Sequence, residues 1–201
     1  MKEYKNRILD QVLGEKLESA GAVLIEGPKW CGKTTTAEQI AKSVFYMSEP
    51  KKRDQNVLYA QIQPEKILDG SNPRLIDEWQ DAPKIWDAVR IAVDNCGGLP
   101  GQYILTGSNT VDKTTIRHTG TGRITRMKMY PMSLWESKDS SGNVSIRELF
   151  YNPSYDINGA TSKLDIPKLI RVACRGGWPK SILFDDQEAQ LAIPKDYYHQ
   201  I

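Results

Sequence analysis

Short apolar runs alternate along the chain with segments whose apolar residues recur at helical spacing. Residues 4–19 show this spacing and predict an amphipathic opening helix. Apolar runs predict five strands, at residues 22–25, 44–47, 74–78, 102–106 and 124–130. Further helices are predicted from Lys33 to about Ser43, and from Pro83 to the pair Gly97 and Gly98. This order predicts an α/β fold of three layers, with a mostly parallel five-stranded sheet between helices.

The other segments are more polar. Residues 48–55 predict a mobile loop, whose basic stretch at 51–53 is interpreted either as solvated or as a contact for phosphate. Residues 144–151 and 165–175 predict short helices, and residues 187–201 predict the beginning of another. We therefore predict a core domain over residues 1–136, and over residues 137–201 a linker with an incomplete helical lid or the start of a second domain.

Composition and charge exclude several classes of protein. Of the 201 residues, 39% are hydrophobic and 26% charged, which is typical of a globular chain rather than a disordered or fibrous one. The 27 Lys and Arg residues nearly balance the 25 Asp and Glu residues, so the net charge of +2 gives no general attraction to nucleic acid. No apolar run is long enough to span a membrane, and the amphipathic N-terminus is unlike a signal peptide. Three widely separated cysteines argue against a disulfide framework or a zinc site, so we expect a cytoplasmic protein.

A glycine-rich motif lies between the first predicted strand and the helix after it. The sequence matches G-x-x-x-x-G-K-[ST], a loop whose backbone N–H groups surround phosphate oxygens. The positive end of the helix dipole lies at the same place. The predicted phosphate site consists of Gly27, Pro28, Lys29, Trp30, Cys31, Gly32, Lys33, Thr34 and Thr35. The alternative is a glycine-rich turn without a ligand.

Two side chains of this motif carry most of its expected chemistry. Lys33 is predicted to reach the β and γ phosphates of a nucleotide, and Thr34 to place its hydroxyl on Mg²⁺. Cys31 is interpreted either as a reactive thiol beside bound phosphate or as a passive loop residue.

Two acidic residues close the strand predicted at residues 74–78. Asp77 is placed to hold the Mg²⁺ shell, directly or through water, which is the role of a Walker B aspartate. Glu78 is predicted to polarise the attacking water as a general base. A plain solvated strand end is the alternative interpretation.

Polar residues also follow the strand predicted at residues 102–106. An amide at this strand tip would orient the water, and Asn109 is the candidate, with Thr106 and Ser108 as alternates. A turn built by the Gly-Ser-Asn sequence is the rival interpretation.

An arginine ahead of the last predicted strand would meet the γ-phosphate bound by a neighbouring subunit. Arg123 and Arg117 both qualify, and Arg126 lies within the strand itself. Surface arginines are common, so a structural role is favoured over a catalytic one for each of these arginines taken singly.

The order of these motifs resembles the AAA+ superfamily, in particular predicted ATPases of bacteria and archaea that carry an uncharacterised C-terminal domain. The resemblance covers nearly the whole chain and rests on residues 27–34, 75–78, 105–109, 120–124, 130–136 and 175–179. It implies ATP and Mg²⁺ as ligands. It also implies a P-loop sheet in which the strand at 102–106 lies between the strands that carry the other two motifs.

The resemblance further implies roles for residues 175–179. This segment is similar to the lid motif of related signalling ATPases, so that Pro179 would contact the adenine base and Arg175 would act as a second sensor. A helix that stops at Gly176 explains the glycine equally well. Relatives of this kind run on well past this length, which predicts that the chain is a piece of a longer protein. An arginine that acts between subunits implies a homo-oligomer.

Three functions fit these residues. The leading one is an ATPase that uses hydrolysis to drive a conformational change, and the second is a slow nucleotide-dependent switch that presents its C-terminal region to an unidentified protein partner. The third is a small-molecule kinase, which the adjacent acids Asp77 and Glu78 disfavour because they favour water as the acceptor. No basic, aromatic-interleaved surface indicates nucleic acid, and no membrane partner is expected. The absence of an Asn-Lys-x-Asp sequence favours ATP over GTP.

Overall fold

A parallel sheet forms the centre of the chain in the computed structural model, which describes residues 4–108 and 119–200. Its strand order is β2-β3-β4-β1-β5, and every pairing between neighbours is parallel. The strands are β1 (Ala22–Glu26), β2 (Ser43–Tyr46), β3 (Arg74–Asp77), β4 (Tyr103–Gly107) and β5 (Ile124–Lys128). The predicted α/β fold is confirmed, and β4 lies between β1 and β3 as the resemblance implies.

The helices of the described residues occur largely where the spacing of apolar residues predicts them. They are α1 (Ile8–Ser19), α2 (Lys33–Glu38), α3 (Arg53–Ile62), α4 (Glu65–Leu68), α5 (Lys84–Asn95), α6 (Ile146–Tyr151), α7 (Ile166–Arg175), α8 (Pro179–Leu183) and α9 (Gln187–Gln200). A 3₁₀ turn spans Trp79–Asp81. Among these residues no helix combines the length and the apolar character needed to cross a bilayer.

The prediction of a loop over residues 48–55 is wrong at its end, because α3 begins at Arg53. The helix buries Asn56 and Ala60, which are one turn apart, and the Asn56 amide donates to the backbone oxygen of Tyr46 at 3.0 Å. Val57 is partly buried against the core, whereas Leu58 is 54% and Ile62 66% exposed. This mixed exposure weakens the amphipathic pattern on which the sequence-based prediction depends.

Helix α2 is shorter than predicted and ends at Glu38 rather than near Ser43. The backbone tightens after Glu38, where the N–H of Ile40 bonds the oxygen of Ala37 three residues earlier. The N–H of Lys42 then bonds the oxygen of Pro73, which precedes β3. Pairing with the neighbouring strand therefore ends the helix early.

Helices cover both faces of the sheet, because successive residues of a central strand point to opposite sides. On one face Leu24 of β1 packs with Trp86 of α5. On the other face Ile25 packs with Leu13 of α1. Burial on both faces explains why β1 is a continuous apolar run rather than an alternating one. The three layers predicted from the sequence are therefore present.

The described residues divide into two compact units. One comprises residues 7–130 and contains the sheet, and the other comprises residues 4–6 and 131–200 with helices α6 to α9. In the second unit Trp178 packs against Tyr197, with ring centroids 4.6 Å apart. The division of the chain at residue 136 and the helical lid stay predictions.

Candidate functional site

The glycine-rich loop connects β1 to α2 and has little room for side chains. A Cβ atom at Gly27 would lie 2.2 Å from the backbone oxygen of Met129, so a larger residue does not fit there. Gly32 has a φ of +105°, a conformation that favours glycine, and α2 begins at the next residue. The loop therefore follows its strand and opens its helix as the motif requires. Lys29, Trp30 and Thr35 are exposed.

Lys33 carries a buried positive charge. Its ammonium group donates to the backbone oxygens of Gly27 and Pro28, at 3.0 Å each, and the residue is 5% exposed. Among the described residues no carboxylate lies within ion-pair distance of it. Burying an ammonium group against neutral carbonyls leaves its charge poorly compensated. The position therefore suits an anionic ligand such as a phosphate.

Asp77 joins the loop to the end of the neighbouring strands. One carboxylate oxygen, Oδ1, accepts hydrogen bonds from the hydroxyls of Thr34 and Thr106, at 2.6 Å each. The carboxyl ends of parallel strands meet at one edge of a sheet, which brings Asp77 of β3 and Thr106 of β4 together. Sequence analysis named all three residues, but it did not predict that Thr106 bonds Asp77.

The oxygens at this edge fit Mg²⁺, which prefers oxygen ligands and is commonly held by one or two carboxylates together with substrate phosphates and water. Thr34 supplies a hydroxyl oxygen and Asp77 a carboxylate. Over residues 4–108 and 119–200 no cluster of three His, Cys, Asp or Glu residues forms a metal cage. The protein groups here would therefore share the ion with a bound nucleotide.

Glu78 adopts a left-handed backbone conformation, with φ 56° and ψ 48°, at the start of the 3₁₀ turn. This conformation costs a residue with a side chain roughly 1–2 kcal/mol. Two contacts accompany it: the Glu78 N–H donates to the Thr106 hydroxyl at 3.3 Å, and the Gln80 side-chain amide donates to the Glu78 carboxylate. The carboxylate therefore has a defined orientation.

Sequence analysis missed Gln80. Its Oε1 atom is buried and has no hydrogen-bond partner among the described residues, while its amide nitrogen contacts Glu78. The available signal was a polar residue two positions after the proposed base, in a short polar turn between β3 and α5. Such a signal is too common to identify a site residue without the structure.

Cys31, in the middle of the loop, has a buried side chain. Its Sγ atom lies 3.7 Å from the backbone oxygen of Met129. Burial raises the pKa of the Cys31 thiol above its usual value, and the charges of Lys33 and Arg7 oppose this shift only in part. The thiol is thus protonated at neutral pH, which favours the passive interpretation over a reactive one.

We expect iodoacetamide at neutral pH to alkylate the exposed Cys174 and to leave Cys31 unmodified. The thiolate is the reacting form, and burial both suppresses it and blocks access to Cys31. Peptide mass mapping of the native protein measures this, with the urea-denatured protein as a control in which Cys31 and Cys174 react alike. Equal labelling of the two cysteines in the native protein would contradict the assignment.

Arg123 lies at the amino end of the parallel strands, whereas the loop lies at their carboxyl end. It immediately precedes β5, whose first residue, Ile124, pairs with Ala22 at the start of β1. The loop begins five residues further along β1, or about 16 Å away at the rise of a parallel strand. Arg123 is exposed and donates to the Asp94 carboxylate at 2.7 Å. The structure does not bring it to the phosphate loop of its own chain.

Four further residues were predicted for the site. Asn109 and Arg117 lie outside the described residues. Pro179 is the first residue of α8, and its role near adenine stays a prediction. Arg175 is buried and donates to the Asp139 carboxylate at 2.6 Å, so its guanidinium has a structural partner.

The parallel sheet and the glycine-rich loop that opens α2, with Lys33, Thr34 and Asp77 beside it, define the class as a P-loop nucleotide-binding protein. The profile of a family described as AAA domain matches residues 19–138, more than half of the chain. The chain therefore belongs to the AAA domain family, and the likeness to AAA-type P-loop ATPases inferred from its motifs is confirmed. A search of the curated proteins finds no match to the chain.

Proposed function

We propose that this protein is a Mg²⁺-dependent ATPase of AAA+ type, which uses ATP hydrolysis to drive a conformational change. The observation that carries the proposal is the pair of hydrogen bonds that the hydroxyls of Thr34 and Thr106 donate to the Asp77 carboxylate. The buried Lys33 lies one residue from Thr34, and Glu78 lies one residue from Asp77. Charge neutralisation, metal ligation and a base are therefore available at neighbouring positions.

Each of these groups has a distinct part in the proposed reaction. Lys33 neutralises the β and γ phosphates, and Thr34 and Asp77 hold Mg²⁺, which supplies electrostatic stabilisation of the phosphate charge when bound. Glu78 accepts a proton from water as the water oxygen bonds the γ-phosphorus and the bond to ADP breaks. Asn109 is proposed to orient that water.

Arg123 is proposed to act on a neighbouring copy of the chain, because it lies at the end of the strands opposite the loop. An arginine supplied in this way stabilises charge that develops on the transferred phosphoryl group. The proposal therefore includes a homo-oligomer, and the rate per subunit should depend on protein concentration.

A second candidate function is a nucleotide-dependent switch that turns over slowly and acts through a protein partner. The contact between the Gln80 amide and the Glu78 carboxylate favours it. The amide occupies one of the acceptor positions through which the carboxylate would otherwise bind the attacking water. In this function the bound nucleotide matters more than its hydrolysis.

The first experiment measures ATP hydrolysis per subunit over a range of protein concentrations, beside a direct titration of ATP binding. Arg123→Ala is the test variant, and Arg53→Ala is its control because Arg53 also forms an exposed ion pair, with Asp81 at 3.2 Å. A rate that rises with concentration and is lost only in Arg123→Ala supports the ATPase. Tight binding without turnover supports the switch. Phosphate transfer to an added metabolite supports the kinase, and absence of nucleotide binding contradicts all three.

We expect Thr106→Val to weaken Mg²⁺-ADP binding about tenfold while binding of ADP in EDTA changes little. The substitution nearly conserves shape but removes the hydroxyl that donates to Asp77, so the metal ligand loses part of its orientation. Calorimetric titrations with Mg²⁺ and with EDTA measure the difference, and Thr106→Ser, which keeps the hydroxyl, is the control. An equal loss of affinity in both buffers would contradict a role through the metal.

A further inference from the structure

Arg7 contacts the phosphate loop but lies outside the region matched by the family profile, which begins at residue 19. It immediately precedes α1, and its own N–H donates to the Asp10 carboxylate at 2.7 Å. The residue is only 7% exposed. Burial of an arginine is unusual for a residue at the start of a surface helix, and its contacts indicate why it is buried.

The Arg7 guanidinium bridges two backbone oxygens. One of its nitrogens donates to the oxygen of Cys31, in the middle of the phosphate loop, at 2.8 Å. Another donates to the oxygen of Tyr130, which follows β5, at 2.7 Å. Arginine presents several donors in a planar group, so one side chain can bond both oxygens at once. These two hydrogen bonds connect the loop, through Arg7, to the segment that follows β5.

The bond to Cys31 fixes the orientation of one peptide unit. The oxygen of Cys31 and the N–H of Gly32 belong to the same peptide, which is trans, so they point in opposite directions. Because the oxygen is turned toward Arg7, the N–H of Gly32 is turned away from it. Among the described residues this N–H has no hydrogen-bond partner. It is a free donor in the loop, immediately before Lys33.

We propose that Arg7 is a positioning residue, which holds the Cys31–Gly32 peptide so that the Gly32 N–H faces the phosphates of a bound nucleotide. The inference rests on the proposed nucleotide binding and adds a residue to that same site. Arg7 does not touch the nucleotide in this arrangement. Glycine has no side chain to hold its peptide, and the φ of +105° at Gly32 leaves the backbone free to rotate unless a neighbour restrains it.

Two variants test the proposal. Arg7→Met removes both donors, and Arg7→Lys keeps the charge but replaces the planar group by a single ammonium that does not span both oxygens. Arg74→Met is the matched control. Arg74 is also buried, and its guanidinium also donates to a backbone oxygen, that of Ile67 at 2.6 Å, but it lies at the amino end of β3, away from the loop.

The readout is the amide signal of Gly32 in ¹⁵N-labelled full-length protein, together with the Kd of ADP from calorimetry. In the wild-type protein we expect ADP with Mg²⁺ to move the Gly32 amide proton downfield, as a new hydrogen bond to phosphate does. In Arg7→Met we expect less than about half of that shift and a Kd raised about tenfold, the value of one charge-assisted hydrogen bond. Arg7→Lys should lie between, and Arg74→Met should match the wild type in both measurements, even if its thermal stability is lower.

The outcomes separate this inference from the proposed function. If the wild-type protein does not bind ADP, the proposed function fails and the inference with it. If the wild type binds ADP and either folded Arg7 variant shows the full Gly32 shift and the wild-type Kd, only the inference is overturned. If Arg7→Met does not fold, Arg7→Lys decides by the same criterion. A change in thermal stability alone, with the Gly32 shift intact, assigns Arg7 a purely structural role and also overturns the inference.

Discussion

Lys33→Met is expected to raise the Kd for ADP and ATP by about a hundredfold or more, because it removes the buried ammonium group that we propose neutralises the phosphate charge. The same substitution should leave the nucleotide-free protein at least as stable as the wild type. It removes a charge that, among the described residues, is balanced only by the carbonyls of Gly27 and Pro28. These two effects have opposite signs, which distinguishes loss of a binding group from general damage to the fold.

Calorimetric titration and thermal unfolding with and without Mg²⁺-ADP measure both effects. Lys84→Met is the matched control, because Lys84 also donates to a backbone oxygen, that of Gln61 at 3.1 Å, but lies on the surface at the start of α5. The control should keep the rise in Tm that ADP produces, and Lys33→Met should lose it. Wild-type affinity in Lys33→Met would contradict the assignment of the phosphate site.

Glu78→Gln is expected to lower the rate of ATP hydrolysis by about 10²- to 10⁴-fold, since the amide has the shape of the carboxylate but does not accept a proton from water. ATP affinity should change little, because the residue acts on the water rather than on the phosphates. Single-turnover phosphate release measures the chemical step, and chromatography of the bound nucleotide shows whether ATP persists.

Asp81→Asn is the matched control for this variant. Asp81 is a carboxylate at the end of the same 3₁₀ turn, but it is paired with Arg53 rather than directed to the candidate site. It should hydrolyse ATP at the wild-type rate. If Glu78→Gln also keeps that rate, the base is another group and the role proposed for Glu78 is wrong.

The fold was largely predictable because its strands are buried on both faces. In β1 a continuous apolar run, residues 22–25, is followed by Glu26 and then Gly27, and that pattern depends on a few neighbouring residues only. Helix α3 was not predicted, because its buried residues are few and one of them is the polar Asn56. Its helical state depends on packing against the sheet and on the bond from Asn56 to Tyr46.

The candidate site was predictable to a different extent for each residue. Lys33, Thr34, Asp77 and Glu78 could be named as candidates from the sequence, because residues of these types in that order are typical of phosphate and metal binding. Gln80 was not identified, because a glutamine in a turn carries no signal by itself. The position of Arg123 relative to the loop could be derived only from the strand register, which places Arg123 at the end of the strands opposite the loop.

The sequence by itself determined the local chemistry of this protein. The spacing of Gly27, Gly32 and Lys33 predicts a tight loop that opens a helix at a cation, because adjacent residues restrict each other through the backbone, and the structure has this loop between β1 and α2. Tertiary structure alone decided which distant groups meet that loop. Thr106 reaches Asp77 across 29 positions, and Arg7 reaches Cys31 across 24, through the pairing of β3 with β4 and the packing of α1 on the sheet. Such contacts depend on which surfaces are buried together, and no pattern within a short segment encodes them.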